Sequence, residues 1–241
     1  MFDHVTIRAA DREASERFYD AVLAALGLDK TRASEHFAAW RDFSLAQASL
    51  DKPVTRRLHV AFVAPSRELV DEFWRVGTEA GFRDDGAPGP RPQHSSDYYG
   101  AFLLDPDGNS AEAVYREQGL HGPIDHVWIR VADLAASQRF YETVAPHTGF
   151  SLRGEGPDRR TFASDEGSFT LVSGTPTQNL HLAFSASANP TVDAFHQAAM
   201  EAGYRDNGQP GERAAYHPGY YGAFVLDPDG NNIEVVNHNR P

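Results

Sequence analysis

YYGAFLLDPDGNSAEAV at 98–114 returns as YYGAFVLDPDGNNIEVV at 220–236, 122 positions later. A repeat this close is read before any local pattern, because it sets the architecture. Working outward, LHVAF (58–62) returns as LHLAF (180–184), and FDHVTIRAADREASERFYDAVLAALG (2–27) as IDHVWIRVADLAASQRFYETVAPHTG (124–149). The period is far too long for a solenoid, so the chain is a duplicated domain-sized unit with halves 1–119 and 120–241. Two units of about 120 residues also suit the length at which one hydrophobic core begins to divide.

The order of elements is the same in both halves. HVTIR and HVWIR alternate like β-strands, and Asp11 and Asp133 are placed to cap the helices that follow. Phe18, Val22 and Leu26, with Phe140 and Val144 in the second copy, fall at helical spacing before Gly27 and Gly149. Short strands rich in Phe, Thr and Val lead to LHVAF and LHLAF. Second helices are predicted over about 68–80 and 192–202, each stopped by a glycine at 81 or 203. A Gly- and Pro-rich loop, a strand, the D-P-D-G turn and a last strand complete each half. Each half therefore reads as βαβββ twice, an α+β chain of four such modules.

Composition excludes several classes of function. Thirty-four acidic against 22 basic residues give a net charge of −12, which repels a nucleic-acid backbone. With no cysteine there is neither a disulfide framework nor a thiolate metal site. No stretch approaches the roughly 20 apolar residues that span a bilayer, so a soluble cytoplasmic protein is expected.

Inside the repeat, His4, His59 and Glu112 recur as His126, His181 and Glu234, each at the same displacement of 122. Period-two alternation puts His4 on one strand face with Thr6 and Arg8, while Val5 and Ile7 point to the helices. His59 shares its face with Ala61 and Val63, and His181 with Ala183 and Ser185, so small neighbours leave an open cup. The glutamates follow a tight turn whose proline and glycine fix the entry of the strand. Two neutral imidazoles and a carboxylate on converging strands make a facial triad with open positions for water and a substrate oxygen. These donors suit a divalent Fe, Mn, Ni, Co or Zn ion alike.

DHVxIRxAD before a helix, a second histidine in LHVAF or LHLAF, and LDPDGNxxE before a strand resemble the vicinal oxygen chelate superfamily. Glyoxalases, extradiol dioxygenases, fosfomycin-resistance enzymes and bleomycin-binding proteins belong to it, and the resemblance runs over nearly the whole chain, once per half. It implies paired βαβββ modules in curved, barrel-like mixed sheets around a metal that chelates vicinal substrate oxygens. It also implies that His4, His59, Glu112, His126, His181 and Glu234 are the ligands. Small relatives often dimerise with an exchanged module. The chain is accordingly a monomer acting as a pseudo-dimer, or a homodimer, and a site might join His4 to His181 and Glu234, and His126 to His59 and Glu112.

Other residues are candidates for work in the cup. His217, in the loop before the second tyrosine pair, is a general base or acid at neutral pH, and Tyr221 joins it as catalytic. Arg8 and Arg130 on the histidine face can hold a substrate carboxylate, with Tyr99 and Tyr220 as further substrate contacts. His217 matches a histidine of the ring-cleaving dioxygenases, but Phe224, and Phe102 in the first half, stand where their tyrosine would be. Two histidines and one glutamate per site fit the dioxygenase and fosfomycin-enzyme ligand sets better than the four-ligand glyoxalase set. The expected function is a metal-dependent enzyme on a small oxygen-rich substrate, by Lewis-acid or Fe(II)-oxygen chemistry. The alternative is a metal-free drug-binding protein of the bleomycin-sequestering kind.

Overall fold

The computed structural model describes residues 2–117 and 122–239; the boundary at 119/120 lies outside them. The first module is β1 (Phe2–Ala9), α1 (Arg12–Ala24), β2 (Arg32–Ala33), β3 (Phe37–Trp40) and β4 (Phe43–Gln47). The second is β5 (Leu58–Val63), α2 (Arg67–Glu79), β6 (Arg83–Pro90), β7 (Tyr99–Leu104) and β8 (Ser110–Tyr115). The third is β9 (Ile124–Val131), α3 (Leu134–Val144), β10 (Ser151–Glu155), β11 (Arg159–Ser164) and β12 (Gly167–Ser173). The fourth is β13 (His181–Ser185), α4 (Asn189–Glu201), β14 (Arg205–Glu212), β15 (Tyr221–Leu226) and β16 (Asn232–Asn237).

Local chemistry accounts for these boundaries. Asp11 and Asp133 are extended, and their carboxylates accept from the backbone N–H groups of Ala14 and Ala136, both at 2.9 Å. Gly27 and Gly149 both turn the chain out at φ 75°, where a side chain would be strained. α1 stops at Ala24, so Leu26 lies beyond it yet is still buried. α4 begins three residues earlier than the sequence pattern predicts, because Pro190 is already shaped for a first helical turn.

The sheets do not follow the sequence halves. Within each module the first and last strands pair in parallel, as in β1 with β4 and β5 with β8. Between halves, β1 pairs antiparallel with β13, and β5 with β9. One curved eight-stranded sheet therefore joins modules one and four, in the order β14-β15-β16-β13-β1-β4-β3-β2. The other joins modules three and two, in the order β10-β11-β12-β9-β5-β8-β7-β6. Val5, Ile7, Val127 and Ile129 pack with Phe18, Val22, Phe73 and Phe140 of the helices in one apolar core. The opposite face of the strands is left for polar groups.

The D-P-D-G-N turns tie β5 to β8 and β13 to β16. Asp105 Oδ1 accepts from the N–H groups of Asp107 and Asn109, and its Oδ2 accepts from the Asn109 amide and from the Tyr19 hydroxyl of α1 at 3.0 Å. Asn109 Oδ1 in turn accepts from the N–H of Leu58 at 3.1 Å, which sets the start of β5 beside that of β8. Asp227, Asn231, Tyr141 and Leu180 repeat the arrangement. Burial pushes the Asp227 carboxyl up to about 6. Among the described residues no helix is long and apolar enough to cross a membrane.

Candidate metal centres

The antiparallel pairing of β1 with β13 brings His4 to His181, and the parallel pairing of β13 with β16 sets Glu234 beside Ala183. In this first cup His181 Nε2 is 2.8 Å and His4 Nε2 is 3.6 Å from Glu234 Oε2. The second cup is built alike from β5, β8 and β9. There His59 Nε2 is 3.0 Å and His126 Nε2 is 3.5 Å from Glu112 Oε2, and the two Nε2 atoms are 3.3 Å apart. In each trio the three donor atoms lie within 4.8 Å of one another. The triads thus form between halves, in the exchanged pairing.

Each glutamate is held from behind. Tyr98, Gly100 and Phe102 share the face of Glu112, because Phe102 lies across from it on β7. The Tyr98 hydroxyl donates to Glu112 Oε1 at 2.6 Å, and Tyr220 donates to Glu234 Oε1 at 2.6 Å. Gly100 and Gly222 let the carboxylates lie flat on the sheet: a Cβ there would come within 2.6 and 2.8 Å of the glutamate oxygen.

The outward nitrogens of the histidines are also partnered, which turns Nε2 inward. His4 Nδ1 bonds to Asp3 at 2.7 Å and His126 Nδ1 to Asp125 at 2.6 Å. Burial depresses His59 and His181, favouring the neutral imidazole a metal requires. At His4 burial acts in the same sense, but the bond to Asp3 and the charges of Glu234, Asp3 and Asp42 outweigh it and raise the imidazole. Ser110 gives its hydrogen to Asp85 at 2.9 Å, so its oxygen accepts from His59 Nδ1 at 3.2 Å and fixes that tautomer. In the first cup Asn232 and Asn207 stand in the places of Ser110 and Asp85, but the direction is reversed: Asn232 Oδ1 accepts from the Asn207 amide, and its own amide nitrogen donates to His181 Nδ1 at 3.3 Å.

The other candidates divide. Arg130 lines the second cup, and Arg8 lies close enough to His181 and Tyr216 for their charges to act on one another. Tyr220 is at the first cup, bonded to its glutamate. Tyr99 and Tyr221 are not in the cups: they face the helices and donate to Asp71 of α2 and Asp193 of α4, both at 2.8 Å. Strand parity is the reason, since neighbours on a strand point to opposite faces. The expected substrate contact at Tyr99 and catalytic role at Tyr221 are therefore withdrawn. His217 is removed from the triad by three links: its Nε2 is 2.8 Å from His238 Nδ1, His238 Nε2 is 2.7 Å from Asp3, and Asp3 bonds His4. In the second cup Arg116 takes the place of His238 and donates at 2.9 Å to Asp125 Oδ1, the oxygen that also bonds His126.

Sequence reasoning passed over Asp3 and Asp125, although each directly precedes a repeated histidine. It also passed over Tyr98 as the glutamate's donor, and over Trp128, whose ring is 5.4 Å from that of His59.

Among solved structures, glyoxalase I from Zea mays is similar in fold, with a TM-score of 0.70 at 21% identity over 98% of this chain and 92% of that one. A glyoxalase/bleomycin resistance protein from Albidiferax ferrireducens is 29% identical over 48% of this chain and 98% of its own, with a TM-score of 0.42. No curated protein matches the chain. A family model matches twice, over residues 1–113 and 123–235, and with it the chain belongs to the Glyoxalase/Bleomycin resistance protein/Dioxygenase superfamily.

Proposed function

We propose that the protein is a metal-dependent enzyme acting on a small oxygen-rich molecule, with one centre at His4, His181 and Glu234 and another at His59, Glu112 and His126. The observation that carries this reading is the convergence, twice, of two imidazole nitrogens and a carboxylate oxygen within 4.8 Å. The donor set fits a metal, because every ligand is oriented by a second group at its far side, as metal ligands are. A divalent Fe, Mn, Ni, Co or Zn ion held there supplies Lewis-acid polarisation of a substrate oxygen or, as iron, oxygen activation.

The chain's own residues do the rest. Tyr98 and Tyr220 keep one carboxylate oxygen occupied, so that Oε2 faces the histidines. Arg130 and Arg8 orient an acidic substrate group, and Phe102 and Phe224 wall the cups against water beneath Arg91 and Arg213. His217 acts at a distance rather than in contact with substrate: through His238 it holds the Asp3 carboxylate that orients His4. The net charge of −12 supports a small-molecule rather than a polyanionic partner. A single chain supplies both halves of each centre and so acts as a pseudo-dimer.

The test is to load the purified protein with each of the five metals and follow turnover of a hemithioacetal and of a catechol. Turnover abolished by chelator and restored by metal supports the proposal. A protein that takes up none of the metals overturns it in favour of a sequestering function.

A further inference from the structure

One homologous difference changes the wall of the two cups most. β9 carries Trp128 where β1 carries Thr6. Trp128 lies directly across from His59 in the β5–β9 pair. Its partly buried ring is 5.4 Å from His59, 5.9 Å from His94 and 6.0 Å from His126. With Phe102 and Val172 it walls a cavity of about 330 Å³ that Arg130 also lines. A large aromatic ring that lines an open cavity beside candidate metal ligands offers a stacking surface to whatever enters that cavity.

The first cup has no aromatic ring at the matching place on its wall. The Thr6 and Ser44 hydroxyls are buried and bonded to each other at 2.7 Å, so its wall is short and polar. Arg8 matches Arg130, so a basic group is common to both cups. Tyr216 stands where the second cup has His94, edge-on to Tyr220 and 62% exposed at the rim. What separates the cups is the wall presented to the rest of the ligand.

We propose that the cup of His59, Glu112 and His126 selects a flat aromatic carboxylate, stacked on Trp128 with its acid group toward Arg130. The cup of His4, His181 and Glu234 takes a small aliphatic hydroxy acid, and the residue at 128 or 6 sets the difference. This deepens the reading of the cups as metal centres and rests on it for the place of binding. The protein then carries two selectivities in one chain.

The probes are salicylate and glycolate, titrated by calorimetry and by tryptophan fluorescence into the full chain loaded with Mn(II), with metal content measured on the same samples. Salicylate is expected to saturate at one per chain. Trp128→Thr should weaken it about tenfold, the upper end of what an aromatic pair contributes, while Trp128→Phe retains most of the affinity. Thr6→Trp should create a second salicylate site, a gain that a misfolded variant cannot mimic. Glycolate should respond little to the change at 128. Two equal salicylate sites in the wild type, none at all, or unchanged affinity in Trp128→Thr would overturn the proposal. Trp128-dependent salicylate binding by protein that takes up no Mn(II) would instead leave the selectivity standing and remove the metal.

Discussion

Replacing Tyr98 by phenylalanine removes one oxygen and nothing else from the back of the second cup. That oxygen donates at 2.6 Å to Glu112 Oε1, and Glu112 is 1% exposed. Water cannot take its place: the carboxylate lies against Gly100 closely enough that one added carbon would be 2.6 Å away. Arg116 covers the tyrosine ring from the other side at 4.7 Å. A hydrogen bond to a charged group is worth about 1.5–3 kcal/mol, and the loss is felt in full when the acceptor stays buried. For a chain of this size that converts to a fall in Tm of about 3–12 °C, at about 2–4 °C per kcal/mol. The freed carboxylate can also rotate, which should cost about 10–100-fold in metal affinity at this cup alone. Thermal unfolding of the metal-free protein and competitive metal titration measure the two effects separately. If Tyr98→Phe melts with the wild type and binds metal equally well, the tyrosine does not orient the glutamate and the reasoning fails.

Three further outcomes are expected. Gly222→Ala drives a methyl group into Glu234 Oε1, 2.8 Å away, and should cost about 1–3 kcal/mol of stability, with metal lost from the first cup only; equal loss from both cups in metal analysis would contradict it. Ser110→Ala releases His59 Nδ1 and should weaken the second cup about tenfold while sparing the first, which metal titration against a Tyr220→Phe background resolves. The Asp227 carboxyl, raised to about 6 when folded from an ordinary 3.8, binds its proton more tightly in the native state. Its contribution is therefore fully present below pH 3.8 and is lost as pH rises through 6, about 3 kcal/mol in all. Urea unfolding from pH 4 to 6.5 should show wild-type stability falling by about 2 kcal/mol, most of that amount, relative to Asp227→Asn, and parallel curves would refute it.

Much of the fold is legible because the repeat reports it twice. Capping aspartates, stopping glycines and the D-P-D-G-N turn act through their immediate neighbours, and such local devices are visible in sequence. The candidate trio is legible for a related reason: a histidine or glutamate kept at one displacement in both halves marks a shared place. Which histidine meets which glutamate is not, since His4 with His181 and His4 with His59 obey the same spacing. That choice is made by the antiparallel pairing of β1 with β13, across more than 170 residues. The tyrosine pairs show the limit of local reading most sharply. Tyr98 and Tyr99 are adjacent and alike, and only the register of β7 on β8 decides which hydroxyl meets Glu112. His217 lies in the loop before the second tyrosine pair and matches a histidine of the ring-cleaving dioxygenases, yet its Nε2 meets His238 rather than the trio. Its link through His238 and Asp3 joins the two ends of the chain and has no signature in either.

Each candidate centre draws its residues from both halves of the chain. Metal content by elemental analysis after Mn(II) loading tests it on the wild type, on His4→Ala/His181→Ala and on His126→Ala/His181→Ala. The exchanged arrangement predicts about two equivalents in the wild type, about one in His4→Ala/His181→Ala because both changes strike one centre, and none in His126→Ala/His181→Ala. The reverse pattern, with His126→Ala/His181→Ala keeping one equivalent and His4→Ala/His181→Ala losing both, would mean that each half holds its own metal and would contradict the account.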